Sequence, residues 1–475
     1  MSKLAIFDIR LLFLLGLLFF LPSFEVPKNL FALLFVFSWA IHCKKNKYWG
    51  GKWRVIDSIF LLWILIDIVV SINAIITHQL SGDNYRDILR FVLIAWVLSR
   101  TYFSKERLTE ASLMALIGTI IALVYSYISG QGELKELHSV GHLNHSAIFL
   151  VLAYSISLSL LLFNFKNLKK FQKIALVVIT ISLLLSIIDT NSRAAFGLLI
   201  IISLIDLFYF LVKKKSISLT IVFFSVVTFI GVLFIFNPPE ALERIQAQES
   251  ILDDNTRMKI RNFSYYAYKA NPYLGIGFGN FGQITMDDIK PYVIADKGVF
   301  DTNLYLESAH PHNVYYSYLI SGGILIFSIF VFFWFYIIWI IFKLNKREEN
   351  DWIVVSSIGV VMVNLIIGLV NTTLHHEHAI LSMFVLGLLI SQYRMSELIK
   401  DLIDTFKIYG TEVLGLFSSE KIDNNLVIEI ESLIEERKLA REAKDWPQSD
   451  SIRDKLKAMN IEIQDTPDGT KWRRI

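Results

Sequence analysis

The recurrence of long apolar runs constrains this chain more than any other feature. Stretches long and apolar enough to cross a bilayer as helices follow one another from Leu11 to Tyr393. In lipid, only helices and closed barrels satisfy every backbone N–H and C=O, and unbroken runs of this kind are helical. Twelve spans are expected, at roughly 9–23, 28–42, 55–74, 87–103, 110–129, 144–163, 172–188, 194–212, 217–236, 313–342, 352–371 and 379–394. A mean hydropathy of +0.51 over 475 residues excludes a soluble globular protein. The fold class is therefore an all-α polytopic membrane protein. The first apolar run is followed at once by a second, without a small-residue cleavage site, so no cleavable leader is expected. Cys43 is the single cysteine, which excludes an intrachain disulfide and a Cys-rich metal site.

Lysine and arginine set the expected orientation. Lys44, Lys45, Lys47, Lys52 and Arg54 follow the second span, and Lys105 and Arg107 the fourth. Lys166, Lys169, Lys170 and Lys173 follow the sixth, Lys213, Lys214 and Lys215 the eighth, and Lys343, Lys346 and Arg347 the tenth. Basic loops stay in the cytoplasm, so alternate loops and both termini are expected there. The outward loops are short except one, 237–312. Asn237-Pro238-Pro239 ends the preceding helix, and 239–251 and 254–270 have amphipathic patterns, the second stopped by Asn271-Pro272. The loop is expected to be a small folded cap on the outer face.

After Tyr393 the composition changes. Residues 396–475 hold 13 Lys+Arg against 17 Asp+Glu, net −4 in a chain of net +3. A charged helix at 427–445, a second opened by Trp446-Pro447, a strand containing Ile461 and Ile463, and a Thr466-Pro467-Asp468-Gly469 turn are expected. The domain division is 1–394 for the membrane region and 395–475 for a cytoplasmic tail.

Candidate chemistry gathers in the outward segments. The junction DTNLYLESAHPHNVYYSYLISGG at 301–323 joins the long loop to an apolar helix. It carries His310 and His312 around Pro311, and Asn313 suits a helix N-cap. Imidazole is the side chain best placed to move a proton near neutral pH, although a lone interfacial histidine also reads as structural. Arg193, in DTNSRAAFG, reads either as a side chain snorkelling to headgroups or as a clamp on phosphate. Arg257 and Arg261 lie four apart on one helix face, and Arg244 lies upstream. His375, His376 and His378, in HHEH, and His138, His142 and His145 read as solvated outward loops rather than as metal ligands. Gly277, Gly279 and Gly282 formally match a dinucleotide fingerprint, but no βαβ unit surrounds them, and a flexible turn after a helix fits better. Asp67 and Asp206 fall within spans, as proton-relay residues of a transporter would, but no pair of Gly/Pro-broken helices accompanies them.

Taken together, the twelve spans, the large late loop, Ser192-Arg193, the TR…NPYLGIGFGNF run at 256–281 and the HPHN…GG run at 310–323 resemble the O-antigen ligase and polymerase superfamily over about 1–394. The resemblance implies an integral-membrane glycosyltransferase of the GT-C type. It would take a glycan from a polyprenyl-diphosphate carrier and pass it to an acceptor hydroxyl, on lipid A core or a growing polysaccharide, without metal or nucleotide. It implies that His312 is the base and that Arg193 and Arg257, with Arg261 beside them, hold the diphosphate, His310 and Asn313 being auxiliary. The family motif continues to G-x-x-G, whereas here Ile326 stands at the last position, which puts the close packing expected there in question. The tail, 428–474, resembles the C-terminal end of bacterial cysteinyl-tRNA synthetase in EAKDW, DTP and KWRR. The synthetase core is absent, which excludes aminoacylation. Lys471, Trp472, Arg473 and Arg474 are the candidates for contact with RNA, and a protein partner for the tail is the alternative. Two other readings of the whole chain are a transporter of a small solute or lipid carrier, and a membrane anchor for the synthetase-like module.

Overall fold

The computed structural model describes residues 8–80, 85–134, 136–214, 249–345, 351–409, 424–466 and 469–474. The chain divides into two compact units, Met1–Glu397 and Leu398–Ile475. The expected span at 217–236, the start of the helix expected at 239–251, with Arg244, and the Pro467-Asp468 turn lie outside the described residues.

In the first unit the helices are α1 (Ile9–Phe20), α2 (Glu25–Asn46), α3 (Val55–His78), α4 (Tyr85–Ser99), α5 (Lys105–Ser129), α6 (Leu143–Phe163), α7 (Lys170–Asp189) and α8 (Arg193–Lys214). They are followed by α9 (Glu249–Ala270), α10 (Met286–Lys297), α11 (Val314–Asn345), α12 (Asp351–Ile366) and α13 (His376–Ile408). Among the described residues nine helices are long and apolar enough to cross a membrane, and Ile9–Phe20 and Ile88–Ser99 are shorter apolar helices. Eleven of the twelve expected spans are therefore helices, and the protein is a polytopic all-α membrane protein.

Helix α6 is the centre of the bundle. Ser146 to Leu160 is buried without interruption, and α6 touches α5, α7, α8 and α12. Small residues let the neighbours approach, as they do wherever helices associate in lipid. A Cβ on Gly359 of α12 would meet Ser155 Oγ at 1.9 Å. One turn away Ser159 and Ser356 share a hydrogen bond, and Ser157 Oγ meets Thr180 Oγ1 of α7 at 2.5 Å.

Two sets of contacts gather at the end of the bundle opposite Arg193. Lys213 Nζ lies 3.5 Å from Asp351 Oδ1, and Tyr209 Oη donates to Asn345 Oδ1 at 2.6 Å. The last turn of α8 thus meets the end of α11 and the start of α12. Ile202 then faces Gly359, so α8 and α12 run antiparallel. The first residue of α8, Arg193, comes level with the 3₁₀ turn Ile367–Leu369 that follows α12, a turn that α8 touches. The start of α3 lies at the far end. There Asp57 accepts hydrogen bonds from Arg100 Nε at 2.8 Å, Arg394 Nη2 at 2.5 Å and Trp96 Nε1 at 2.7 Å, tying α3, α4 and α13 together.

Helix α11 is not continuous. Gly323 has φ 61° and ψ −165°, a conformation open in practice only to glycine. The break frees the carbonyls of Ile320 and Ser321, and the loop 272–279 takes them. Ile276 N–H donates to Ile320 O at 3.0 Å and Gly277 N–H to Ser321 O at 2.8 Å, while Ile324 N–H donates back to Pro272 O at 2.8 Å. The Gly-rich segment is therefore an ordered, hydrogen-bonded docking loop and not a flexible turn. One helix is broken where none was expected to be. Close packing at the HPHN…GG motif survives without a glycine at Ile326. The approach is made at Gly323 itself, where a Cβ would lie 2.2 Å from the carbonyl of Tyr273.

The loop joins two cores. Leu274 and Phe278 pack on the bundle core, while Ile276 and Phe281 belong to a second, smaller core with Phe263, Tyr266, Ile289, Val293 and Tyr305. That core makes 249–305 a folded cap, as the amphipathic pattern suggested. Its helix α10 was not expected, because Pro291 falls inside it. Thr285 and Asp288 form a capping box there, and Gly298 at φ 76° closes the helix.

The second unit contains α14 (Asn424–Glu442), α15 (Trp446–Ala458) and an antiparallel hairpin of β1 (Ile461–Thr466) and β2 (Gly469–Arg474). Ile430, Leu433, Ile452, Leu456 and Ile461 form its core. Asp465 accepts from Arg437 and Arg441, and the Arg437 guanidinium holds its carboxyl well below the usual range.

Gly323→Ala combines a forbidden backbone angle with a clash against rigid backbone. It is expected to lower stability by more than about 2 kcal/mol. Gly197→Ala, in α8 with open space around it, is expected to change stability by no more than about 1 kcal/mol, in the stabilising direction. Thermal unfolding of the two variants in detergent checks the contrast.

Candidate functional site at one end of the bundle

Asn313 anchors the HPHN junction. Its Oδ1 accepts from the Tyr316 N–H at 3.0 Å, the bond of an N-cap, and its Nδ2 donates to Leu369 O at 2.9 Å. Tyr315 Oη adds a bond to Leu365 O at 2.9 Å. The start of α11 is thus tied to the turn that lies level with Arg193. Pro311 is buried, while His310 and His312 are exposed. His312 has φ 48°, a left-handed conformation that turns the chain into the helix.

Arg257 and Arg261 are exposed on α9, and Arg261 lies within electrostatic reach of the Tyr316 phenol, one turn into α11. On the opposite side of α9, Tyr266 Oη donates to Asp296 Oδ2 at 2.9 Å, and Lys269 Nζ lies 3.0 Å from Asp296 Oδ1. Burial, with the hydrogen bond to Asp296, pushes the Tyr266 phenol up to about 12. These bonds hold α9 on α10.

The histidines that the sequence scatters over three segments converge. The His145 ring at the start of α6 meets that of His378 edge-on at 5.4 Å and that of His375 at 6.5 Å. His375 in turn meets His310 at 6.5 Å, and His376 adjoins His375. The HHEH stretch is not a solvated turn: Glu377 and His378 are fully buried as α13 begins. His138 lies apart, against Phe24 and Tyr125. Among the described residues no group of three or more His, Cys, Asp and Glu is arranged to hold a metal ion. Partial desolvation, and next the neighbouring His376, lower the pKa of His310 from the ordinary histidine value.

Glu377 is bound by Lys28 of α2 and by Ser139, whose Oγ donates at 3.1 Å. Lys28 also donates to Ser139 Oγ at 2.8 Å. This buried ion pair fixes the first turn of α13 and so the position of its histidines. Sequence reasoning missed it, since Lys28 and Glu377 are 349 residues apart. Beside the cluster is a small pocket lined by Phe91, Phe278, Gly279, Ser317, Tyr318 and the segment Thr372–His375.

Asp67 and Asp206 are buried, at 2% and 0% exposure, and neither Asp206 oxygen has a hydrogen-bond partner among the described residues. Neither residue belongs to the histidine cluster. In the tail, strand alternation divides the proposed RNA contacts. Trp472 packs on the hydrophobic core, whereas Lys471 and Arg473 are exposed, Arg473 pairing with Glu462. Arg474 ends β2 opposite Ile461.

This arrangement defines a multi-pass membrane protein with a folded cap and a basic, histidine-rich site at one end of its bundle. Residues 177–331 match the family described as O-Antigen ligase, and residues 423–473 match the Cysteinyl-tRNA ligase anticodon binding domain. The tail is 58% identical over 69 residues to a cysteine–tRNA ligase of Actinobacillus pleuropneumoniae serotype 5b (strain L20), covering 13% of this chain and 15% of that protein. It is 54% identical over 65 residues to that of Latilactobacillus sakei subsp. sakei (strain 23K), 14% of each chain. Against the Bacillus pumilus (strain SAFR-032) enzyme it is 45% identical over 84 residues, 18% of this chain and 17% of that protein. The chain therefore spans less than a fifth of the length of these relatives. The first match and the apolar helices support a role in membrane glycan transfer.

Lys28→Met leaves Glu377 buried without its cation and is expected to cost about 3–5 kcal/mol. Adding Glu377→Met is expected to restore most of that stability, because the pair is then replaced by apolar side chains. Thermal unfolding of the single and double variants in detergent checks both outcomes.

Proposed function

We propose that this protein transfers a glycan from a polyprenyl-diphosphate carrier to an acceptor hydroxyl, on lipid A core or a growing polysaccharide, at the outer face of the bacterial inner membrane. One observation carries the reading. The segment matching the O-Antigen ligase family, 177–331, contains Arg193, Arg257, Arg261, His310, His312 and Asn313. It also contains the break at Gly323 that docks the cap beside them.

His312 is the base. As the acceptor oxygen bonds to the anomeric carbon, its proton passes to the imidazole, and the bond from that carbon to the diphosphate oxygen breaks with the electron pair leaving on the diphosphate. Arg193, Arg257 and Arg261 hold the diphosphate and oppose the charge that develops there. The cap keeps water from the donor. The basic loops support the orientation, with both termini in the cytoplasm and the site outside. A site on that face is remote from cytoplasmic nucleotide sugars, which is why the donor is lipid-linked.

For the tail, the likeness to an anticodon-binding domain favours RNA as partner, with Lys471 and Arg473 as its exposed contacts. A domain of the chain other than the membrane unit would then carry that binding.

His312→Ala is expected to slow transfer by about 10²–10⁴-fold and Arg257→Ala by about 10²–10³-fold. The assay uses the purified full chain, a lipid-linked donor and a glycan acceptor. Normal transfer by both variants at normal protein level would remove this reading. For the tail, Lys471→Ala/Arg473→Ala in the full chain is expected to weaken tRNA binding and flatten its salt dependence by a log–log slope of about 1–2. Absence of tRNA binding by the unsubstituted chain in moderate salt would leave a protein as the partner.

A further inference from the structure

Helix α13 does not end with its apolar run. It continues as one helix to Ile408, and its composition changes on the way. Glu397, Lys400, Asp401, Asp404 and Lys407 fall within the stretch 397–407, more charge than a bilayer interior accepts. The apolar residues of the same stretch keep to one face. Ile399, Leu402, Phe406 and Tyr409 follow one another at the alternating spacing of the a and d positions of a heptad. Leu398 and Ile403 flank them at g and e, and every charge falls on b, c or f, away from the seam. All six apolar side chains are exposed, Leu402 at 60% and Phe406 at 69%. Among the described residues, the small core of the second unit, built on Ile430, Leu433, Ile452, Leu456 and Ile461, takes none of them.

We propose that this stripe is a parallel helix–helix interface with a second copy of the chain. The proposal does not depend on the glycan-transfer reading. A heptad seam is matched by a helix with the same spacing, and a second copy presents that spacing at the same depth, because its α13 leaves the membrane as this one does. Two copies in one membrane meet with these helices parallel, Ile399 against Ile399 and Leu402 against Leu402. A β-branched residue at a with Leu at d is the choice that favours two strands. The charges argue against a lipid surface as the occupant. An interfacial helix carries Lys and Arg on its polar face to meet anionic headgroups, whereas here Lys400 and Lys407 stand among Glu397, Asp401 and Asp404. In the paired helices these charges stay on the outer side, and no like charges meet across the seam. A seam this short would not hold two free helices together in water. Anchoring both in one bilayer supplies the effective concentration that it needs.

The test is disulfide formation between copies of the full chain in native membranes. Cys43 is buried and is the single cysteine, so the unsubstituted protein serves as the blank. Leu402→Cys puts a thiol in the seam, and Asp404→Cys puts one on the outer face two residues further on. Under a mild oxidant, Leu402→Cys is expected to form a linked dimer about tenfold faster than Asp404→Cys, because only the seam brings two Cα atoms within bridging distance. Ile399→Cys, also in the seam, is expected to behave as Leu402→Cys does. A second measurement uses no cysteine. In Leu402→Asp/Phe406→Asp the dimer seen by mass photometry of polymer-extracted membrane discs is expected to be lost, with thermal unfolding of the membrane unit unchanged. Equal linkage rates at 402 and 404 would overturn the proposal. So would a Leu402→Cys thiol that stays unlinked, whether it reacts freely with maleimide, which leaves the stripe uncovered, or is shielded from it, which assigns the stripe to lipid or to another segment of the same chain. Linkage of that thiol to a different protein would also overturn the second copy as partner.

Discussion

The membrane unit depends on an exchange of backbone hydrogen bonds at one glycine. In a continuous helix the carbonyls of Ile320 and Ser321 would be satisfied four residues on. With Gly323 out of helical geometry they face the loop instead, and Ile276 and Gly277 supply the N–H groups. Non-helical backbone within an apolar bundle is tolerable only where protein satisfies it. The break and the loop therefore require each other. Asn73 Nδ2, which donates to Gly275 O at 3.2 Å, extends the join to α3.

That join determines what can meet at the end of the bundle. It sets the cap with its core on Ile320 and leaves Arg257 and Arg261 on the face that the core does not use. Asn313, by capping α11 and bonding to Leu369 O, sets the other side of the junction. The two histidines around Pro311 thus immediately precede a fixed point, the Asn313 cap, and an anchor of this kind contributes to the preorganisation a proton-transfer site needs.

The sequence made the spans legible because lipid leaves so few choices: a run of apolar residues of sufficient length becomes a helix whatever its neighbours do. The N-cap role of Asn313 was also legible, since a cap is a local device and its signal lies within four residues. The broken helix was not. Gly322-Gly323 sits in an apolar run that hydropathy reads as continuous, and the groups that satisfy the break come from a loop about 45 residues earlier, a long-range pairing with no local trace. Pro291 concealed α10 for the converse reason, a local rule overridden by the packing of Ile289 and Val293 into the cap core. The candidate site was legible as residue types but not as an assembly. HHEH is hydrophilic by composition, so it read as solvated. Its Glu377 and His378 are buried because Lys28, on a helix at the other end of the chain, pairs with Glu377.

The Lys28–Glu377 pair also explains how so many histidines come to lie together. Desolvating a carboxylate beside imidazoles would ordinarily draw a proton onto one of them and form a histidine–carboxylate pair. Lys28 takes the carboxylate first. The imidazoles are then left to be held by shape, edge against face, rather than by an acid. Each can act on the protonation of the next, and none is fixed as a cation by Glu377. An arginine in place of Lys28 would satisfy the charge but not the geometry, since a single ammonium here serves both Glu377 and Ser139 in a space already closed. The surroundings of the proposed base thus depend on an ion pair at the start of α13.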